Sequence, residues 1–171
     1  LFSRERLAML LRYGIAYVKS ETGLEKHIMR YPQLFATRAI ERKLGEGIKK
    51  GIIWHTQGSG KTALAFYNVQ YLTDYFHHKG VVPKFYFIVD RIDLMNQARR
   101  EFTSRGLSVN IVNSKEALVK SFRLKQVLEG FSGKPEITVV NIQKFNEQSD
   151  VVKASDYDIN TQRVYFLDEV H

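Results

Sequence analysis

At 171 residues, 44% of them hydrophobic, the chain can bury one real core, which excludes a disordered or fibrous polymer. Lysine and arginine number 26 against 18 acids, and the resulting formal charge of +8 favours a polyanionic partner. The absence of cysteine excludes a disulfide framework and fits a reducing compartment, and no segment approaches the ~20 apolar residues that span a bilayer. In chain order, Leu7, Leu10, Leu11, Ile15 and Val18 recur at helical spacing and predict an amphipathic helix packed on its own domain. Arg4 and Arg6 give this stretch the outline of a signal peptide, but Arg12 interrupts it and no small-residue cleavage site follows. Residues 48–54 predict a first strand and residues 62–76 the helix after it. The nearly continuous apolar run over residues 84–89 predicts a strand covered on both faces. Asp90 is placed to cap the next helix, with Asp93 at its third position and Leu94, Ala98 and Phe102 as its buried stripe. A short strand over residues 109–112 precedes a helix that starts at Asn113 and Glu116 and ends near Gly130. Residues 137–140 and 164–167 complete about five strands, with a polar surface excursion over residues 146–161 between the last two. Strands alternating with helices predict an α/β fold with a mainly parallel sheet.

The most informative stretch is Trp54-His55-Thr56-Gln57-Gly58-Ser59-Gly60-Lys61-Thr62, which follows the apolar Gly51-Ile52-Ile53. It has the form of a phosphate-cradling loop between a strand and a helix. Gly58 and Gly60 let the backbone turn its N–H groups inward at an anion, and the helix beginning near Lys61 adds the positive end of its dipole. Lys61 supplies a mobile cation for the outer phosphates, and the Thr62 hydroxyl can complete the shell of a Mg²⁺ ion. The general pattern G-x-x-x-x-G-K-[ST] has glycine where this chain has His55. The form A-x-x-G-x-G-K-T keeps only the later glycines and fits from Gly58 onward. The chain closes on Val164-Tyr165-Phe166-Leu167-Asp168-Glu169-Val170-His171, an apolar strand running into two acids. Asp168 at a strand's C-terminal edge is placed as a Mg²⁺ ligand acting partly through water, and Glu169 to orient or deprotonate the attacking water. Together these signals make ATP with Mg²⁺ the ligand to consider.

Asp168-Glu169-Val170-His171 resembles motif II of superfamily 2 helicases and translocases. Three further stretches narrow the resemblance. Asp90-Arg91-Ile92-Asp93-Leu94-Met95-Asn96-Gln97 follows a strand, as in the D-R-x-D-L-x-x-Q signature of the motor (R) subunits of type I restriction enzymes. Thr138-Val139-Val140-Asn141-Ile142-Gln143-Lys144-Phe145 is similar to their T-I-Q-K-F segment, with Asn141 in the usual Thr place. Tyr31-Pro32-Gln33-Leu34-Phe35-Ala36 is similar to the Y-x-Q-x-x-A segment upstream of their phosphate loop, whose wording includes His55. The resemblance runs from about Tyr31 to His171.

This resemblance implies a P-loop NTPase of RecA-like fold, with residues 1–45 as a helical lead-in carrying an adenine-reading segment. Residues 46–171 are then the first of two RecA-like motor domains. Its implied activity is ATP-driven translocation of double-stranded DNA, in a complex with methyltransferase (M) and specificity (S) subunits in the cytoplasm of a bacterium or archaeon. By the same resemblance, Thr56, Gly58, Ser59, Gly60, Lys61 and Thr62 form the phosphate and Mg²⁺ site, Lys61 and Glu169 act in catalysis, and Gln33 reads adenine. His171 then links nucleotide state to the DNA-facing side. Arg91, Gln143 and Lys144 lie on loops at strand C-termini, where phosphate contacts to DNA are expected. The other readings are a different superfamily 2 helicase, and a non-motor module that binds ATP or DNA.

The remaining clusters carry less. His77-His78 with His55 lack a cysteine or carboxylate at zinc spacing and read as a solvated helix end, and Asp156 with Asp158 read as a polar turn. The only Glu-x-Lys, Glu41-Arg42-Lys43, has no upstream Asp, so no nuclease centre is expected. A start at Leu1 and an end on a motif lead us to expect a fragment of a longer protein, which on its own binds Mg·ATP weakly and turns it over negligibly.

Overall fold

The computed structural model describes residues 3–56, 58–112, 114, 135–144 and 160–168. Its centre is a parallel sheet of four strands: β3 (Val82–Val89), β4 (Ser108–Val112), β5 (Glu136–Asn141) and β6 (Thr161–Leu167), in the spatial order β4-β5-β3-β6. The α/β class is as expected from the alternating pattern. In β3, Phe85, Tyr86 and Phe87 are all buried, because both faces of a parallel strand are covered. Its odd-numbered side chains, Phe85, Phe87 and Val89, join Ile137 and Val139 in the main core. Tyr86 faces the other way, with Val112 and Val140.

Helices α3 (Lys61–His77) and α4 (Ile92–Ser104) cover the first of these faces. Phe102 of α4 is completely buried and meets Phe87 edge-on at 5.2 Å between ring centroids. Removing such a ring typically destabilises by about 3–5 kcal/mol, so this contact fixes α4 on the sheet. The stripe of α4 is Met95, Ala98 and Phe102, with Leu94 partly buried beside it. The helix is not capped by Asp90, however. Its N-cap is Arg91, in extended conformation and without a side-chain cap, while Asp90 belongs to the turn that leaves β3.

The lead-in departs further from expectation. Helix α1 spans Arg4–Tyr13 and stops at Gly14, where a Cβ would come within 2.9 Å of the Leu10 carbonyl oxygen. Ile15 and Val18 belong instead to an antiparallel hairpin, β1 (Ile15–Ser20) with β2 (Gly23–Ile28). Their helical spacing was accidental: Ala16 and Val18 face the core, and Tyr17 and Lys19 face out, the period of a strand. Helix α2 (Tyr31–Gly45) follows. Met9, Ala16, Val18, Met29 and Leu34 share one core with Phe66, Val69 and Phe87, so lead-in and sheet pack as one body.

No strand forms over residues 48–54. Ile52 and Trp54 are each 91% exposed, and the described sheet ends at β6. An apolar run becomes a parallel strand only where a neighbouring edge takes its hydrogen bonds and helices cover both faces. Here no described strand pairs with this stretch and its apolar side chains are uncovered. The helix expected from Asn113 to Gly130 and most of the polar excursion before β6 lie outside the described residues. Among the described residues no helix is long and apolar enough to cross a membrane.

Candidate functional site

The start of α3 is unlike an ordinary helix start. Its N-cap is Gly60, with φ +82° and no side chain to accept a bond, and its first turn holds no acid. Leu64 N–H donates to Gly60 O at 2.9 Å and closes the first turn. The N–H groups ahead of it lie at the positive end of the dipole, and the N-cap itself offers them no side-chain acceptor. Gly58 also lies in the left-handed region, at φ +76°, and Ser59 N–H donates to Thr56 O at 3.2 Å, which tightens the loop. This donor-rich end without a carboxylate fits a phosphate anion.

Gln33 pins the loop from beneath. It sits in the first turn of α2 and is only 3% exposed. Its Oε1 accepts from Arg30 N–H at 2.9 Å, and its Nε2 donates to Gly60 O at 3.1 Å, with a longer contact to Ser59 O at 3.5 Å. The Gly60 φ of +82° calls for glycine there, and a Cβ would lie 2.8 Å from that Nε2 and push the Gln33 amide aside. The sequence placed Gln33 near a nucleotide base; its bonds to the loop backbone carry no sequence signal. Two polar atoms of the loop, His55 Nδ1 and Ser59 Oγ, are buried without a hydrogen-bond partner among the described residues. Lys61 and Thr62 open α3 and are partly buried.

The carboxyl ends of the strands meet along one sheet edge. Val89 pairs with Asn141, Ile88 pairs with Leu167, and Asp168 N–H extends the ladder to Ile88 O at 3.0 Å. This register sets the ends of β3, β5 and β6 side by side, with Asp90, Asn141 and Asp168 as their terminal polar residues. Among the described residues no group of three or more His, Cys, Asp or Glu is built to hold a metal. The Thr62 hydroxyl and the partly buried Asp168 carboxylate are both oxygen donors of the kind Mg²⁺ takes.

Arg91 is exposed, and its Nε lies 3.8 Å from Asp90 Oδ1, within ion-pair range but beyond hydrogen-bond distance. Gln143 is exposed too, on the 3₁₀ turn Ile142–Lys144 after β5. Its N–H donates to Asn141 Oδ1 at 2.9 Å. Asn141, which the sequence marked only as standing in the usual Thr place, is thus a loop-shaping residue; the signal available was an Asn at a strand end, a habitual turn former. Lys144 is placed by its backbone on the same turn. Gln57, Glu169 and His171 lie outside the described residues.

With the loop and strand ends placed, comparison with known proteins is decisive. The family described as "Type III restriction enzyme, res subunit" matches residues 26–171. The chain belongs to that family. It is 33% identical over 166 residues, 95% of its length, to the endonuclease subunit of a type I restriction enzyme from Staphylococcus saprophyticus. A Staphylococcus aureus subunit of the same description is 31% identical over 166 residues. A Methanocaldococcus jannaschii protein named for the same kind of subunit is 31% identical over 138 residues, 71% of the chain. The chain spans 16% of the length of each staphylococcal relative and 13% of the Methanocaldococcus one. The resemblance to restriction-enzyme R subunits read from the motifs is therefore upheld, together with the RecA-like α/β fold.

Proposed function

We propose that this restriction-family domain is the ATP-binding half of a DNA-translocating motor in a type I restriction enzyme. The observation that carries the proposal is the uncapped start of α3, with Gly58 and Gly60 left-handed before it and Asp168 ending a strand of the adjoining sheet. In this reading the first-turn N–H groups of α3 hold the phosphates, and Lys61 neutralises the outer ones. Thr62 and Asp168 would hold Mg²⁺, which supplies charge neutralisation between the phosphates. Glu169 orients the attacking water, and His171 passes the nucleotide state to the DNA side. Gln33 reads adenine with the N–H and lone pair its loop bonds leave over. Arg91, Gln143 and Lys144 hold DNA through phosphates, since a motor must move over any sequence.

The motor works in this reading on double-stranded DNA, beside methyltransferase and specificity subunits, in the cytoplasm of a bacterial or archaeal cell. The test is ATP hydrolysis by the full-length chain, alone and reconstituted with those partners. The DNAs are duplexes with and without the recognition site, and single strands. We expect turnover that needs the partners and a site-bearing duplex, and that falls by roughly 100-fold or more in Lys61→Ala with the fold intact. Turnover by the lone chain, best on single strands, would assign a general helicase instead. A Lys61→Ala chain with undiminished activity would leave a non-motor module.

A further inference from the structure

A groove of about 680 Å³ runs between the hairpin and α4, away from the phosphate loop. Lys19 of β1 lines one side; Asn96, Arg99, Arg100 and Thr103 of α4 line the other. Their spacing along α4, three and four residues apart, puts them on one face of the helix. All five are exposed. Lys19, Arg99 and Arg100 have no acidic partner among the described residues, where every ion pair of α4's C-terminal half is Glu101 with Arg105. The one acid in the groove, Asp93, sits in the first turn of α4, where the helix dipole favours it. Three cations against one acid therefore face an open channel.

We propose that this groove is a second contact for the phosphodiester backbone of duplex DNA, continuous with Arg91 at the other end of the same helix. That the polyanion is DNA rests on the motor reading above. Two features favour nucleic acid over a protein partner. The lining holds no apolar or aromatic side chain, whereas protein interfaces have an apolar core with aromatic anchors. It also offers what phosphate contacts use: guanidinium and ammonium groups beside an amide and a hydroxyl. From Arg91 to Thr103 the helix rises about 18 Å, enough to track roughly five phosphates at 3.4 Å per strand. The strand-end loops grip the duplex at one place, and the groove holds it along its flank.

The test measures binding of the full-length chain to a duplex without a recognition site, by fluorescence anisotropy over a series of salt concentrations. Lys19→Ala/Arg99→Ala/Arg100→Ala should lower the slope of log affinity against log salt by about two to three units, at roughly 0.9 per lost phosphate contact. The loss should be the same on unrelated sequences, with the affinity for ATP unchanged. Arg99→Lys/Arg100→Lys, which keeps the charges, should keep the slope, and a thermal melt checks that all variants fold. An unchanged slope in a chain that hydrolyses ATP normally overturns the groove and leaves the motor reading standing. A reduced slope in a chain that never hydrolyses ATP supports the groove and overturns the motor. Lost assembly with the methyltransferase or specificity subunit at an unchanged slope would give the groove to a protein and overturn the proposal.

Discussion

Two helices begin within reach of one glutamine, and they begin in opposite ways. At α2, Gln33 folds back to accept from Arg30 N–H, and Pro32 in the first turn has no N–H to satisfy. That end is closed by its own residues. At α3, the N-cap is a left-handed glycine, no acid stands in the first turn, and Gln33 bonds a carbonyl just outside the helix. That end is held in place but left open. Against a good side-chain cap, the glycine costs α3 about a few tenths of a kcal/mol. The stability that α3 lacks in the free chain is available to an anion that supplies the missing acceptors. The difference separates a helix end that serves the fold from one that serves a ligand.

Gln33 links the two ends, so its removal should break the comparison most strongly. Gln33→Ala deletes the reach-back bond of α2, leaves a cavity in a buried site and frees the loop at once. We expect a loss of about 2–3 kcal/mol in denaturant unfolding, together with weaker ATP binding. Gln33→Glu sharpens the test. The carboxylate still accepts from Arg30 N–H but cannot donate to Gly60 O, so ATP binding should fall further than stability does. If both variants lose stability and binding in the same ratio, the two ends are not separately held. Gly60→Ala acts first on the open end. At φ +82°, with Nε2 of Gln33 at 2.8 Å from the added Cβ, it should destabilise by about 1–2 kcal/mol.

A smaller change should move stability and binding in opposite directions. Thr62→Asp gives α3 the first-turn acid that it lacks. The free chain should gain about 0.3–1 kcal/mol in a thermal melt, through the helix dipole. The same carboxylate would occupy the N–H groups that the phosphates need, so nucleotide binding should be lost. A variant that is both less stable and still able to bind ATP would show that the start of α3 is not waiting for an anion.

What the sequence disclosed follows the same division. Strands β3 and β5 were legible because buried parallel strands are written as apolar runs, the more exposed β4 and β6 from shorter apolar stretches, and α3 because Gly-x-Gly-Lys-Thr announces its start. The hairpin was hidden because Ile15 and Val18 fall three apart on the same stripe as Leu7 and Leu11, and the break at Gly14 outranked that periodicity. Residues 48–54 misled in the other direction, since an apolar run says what a strand needs but not whether an edge is there to receive it. At the site, the glycines and Lys61 were readable as residue types. The tether from Gln33 to Gly60 was not, because it joins residues 27 apart through a backbone carbonyl.

The smallest expected effect sits behind the helix starts, where tyrosines hold the helices together. Tyr13 donates to Asp74 Oδ2 at 2.8 Å, so α1 is fastened to α3 far from the phosphate loop. Burial first, and then the Asp74 carboxylate, raises its pKa above the ordinary 10.0. Tyr71 of α3 is raised by burial first and then by Glu41 of α2, and Tyr67 by burial. A raised pKa means that the folded state favours the neutral phenol. The stability tied to that form is therefore complete below about pH 10 and drains away as pH climbs through the folded values. Melting temperature should decline from about pH 10 upward, more shallowly in Tyr71→Phe, whose ring has no proton to lose. The open end of α3 is held by Gln33 rather than by these tyrosines, so Tyr71→Phe should leave nucleotide affinity at neutral pH unchanged. A loss of affinity in that variant would mean that the loop depends on the packing of α1, α2 and α3 rather than on its own tether.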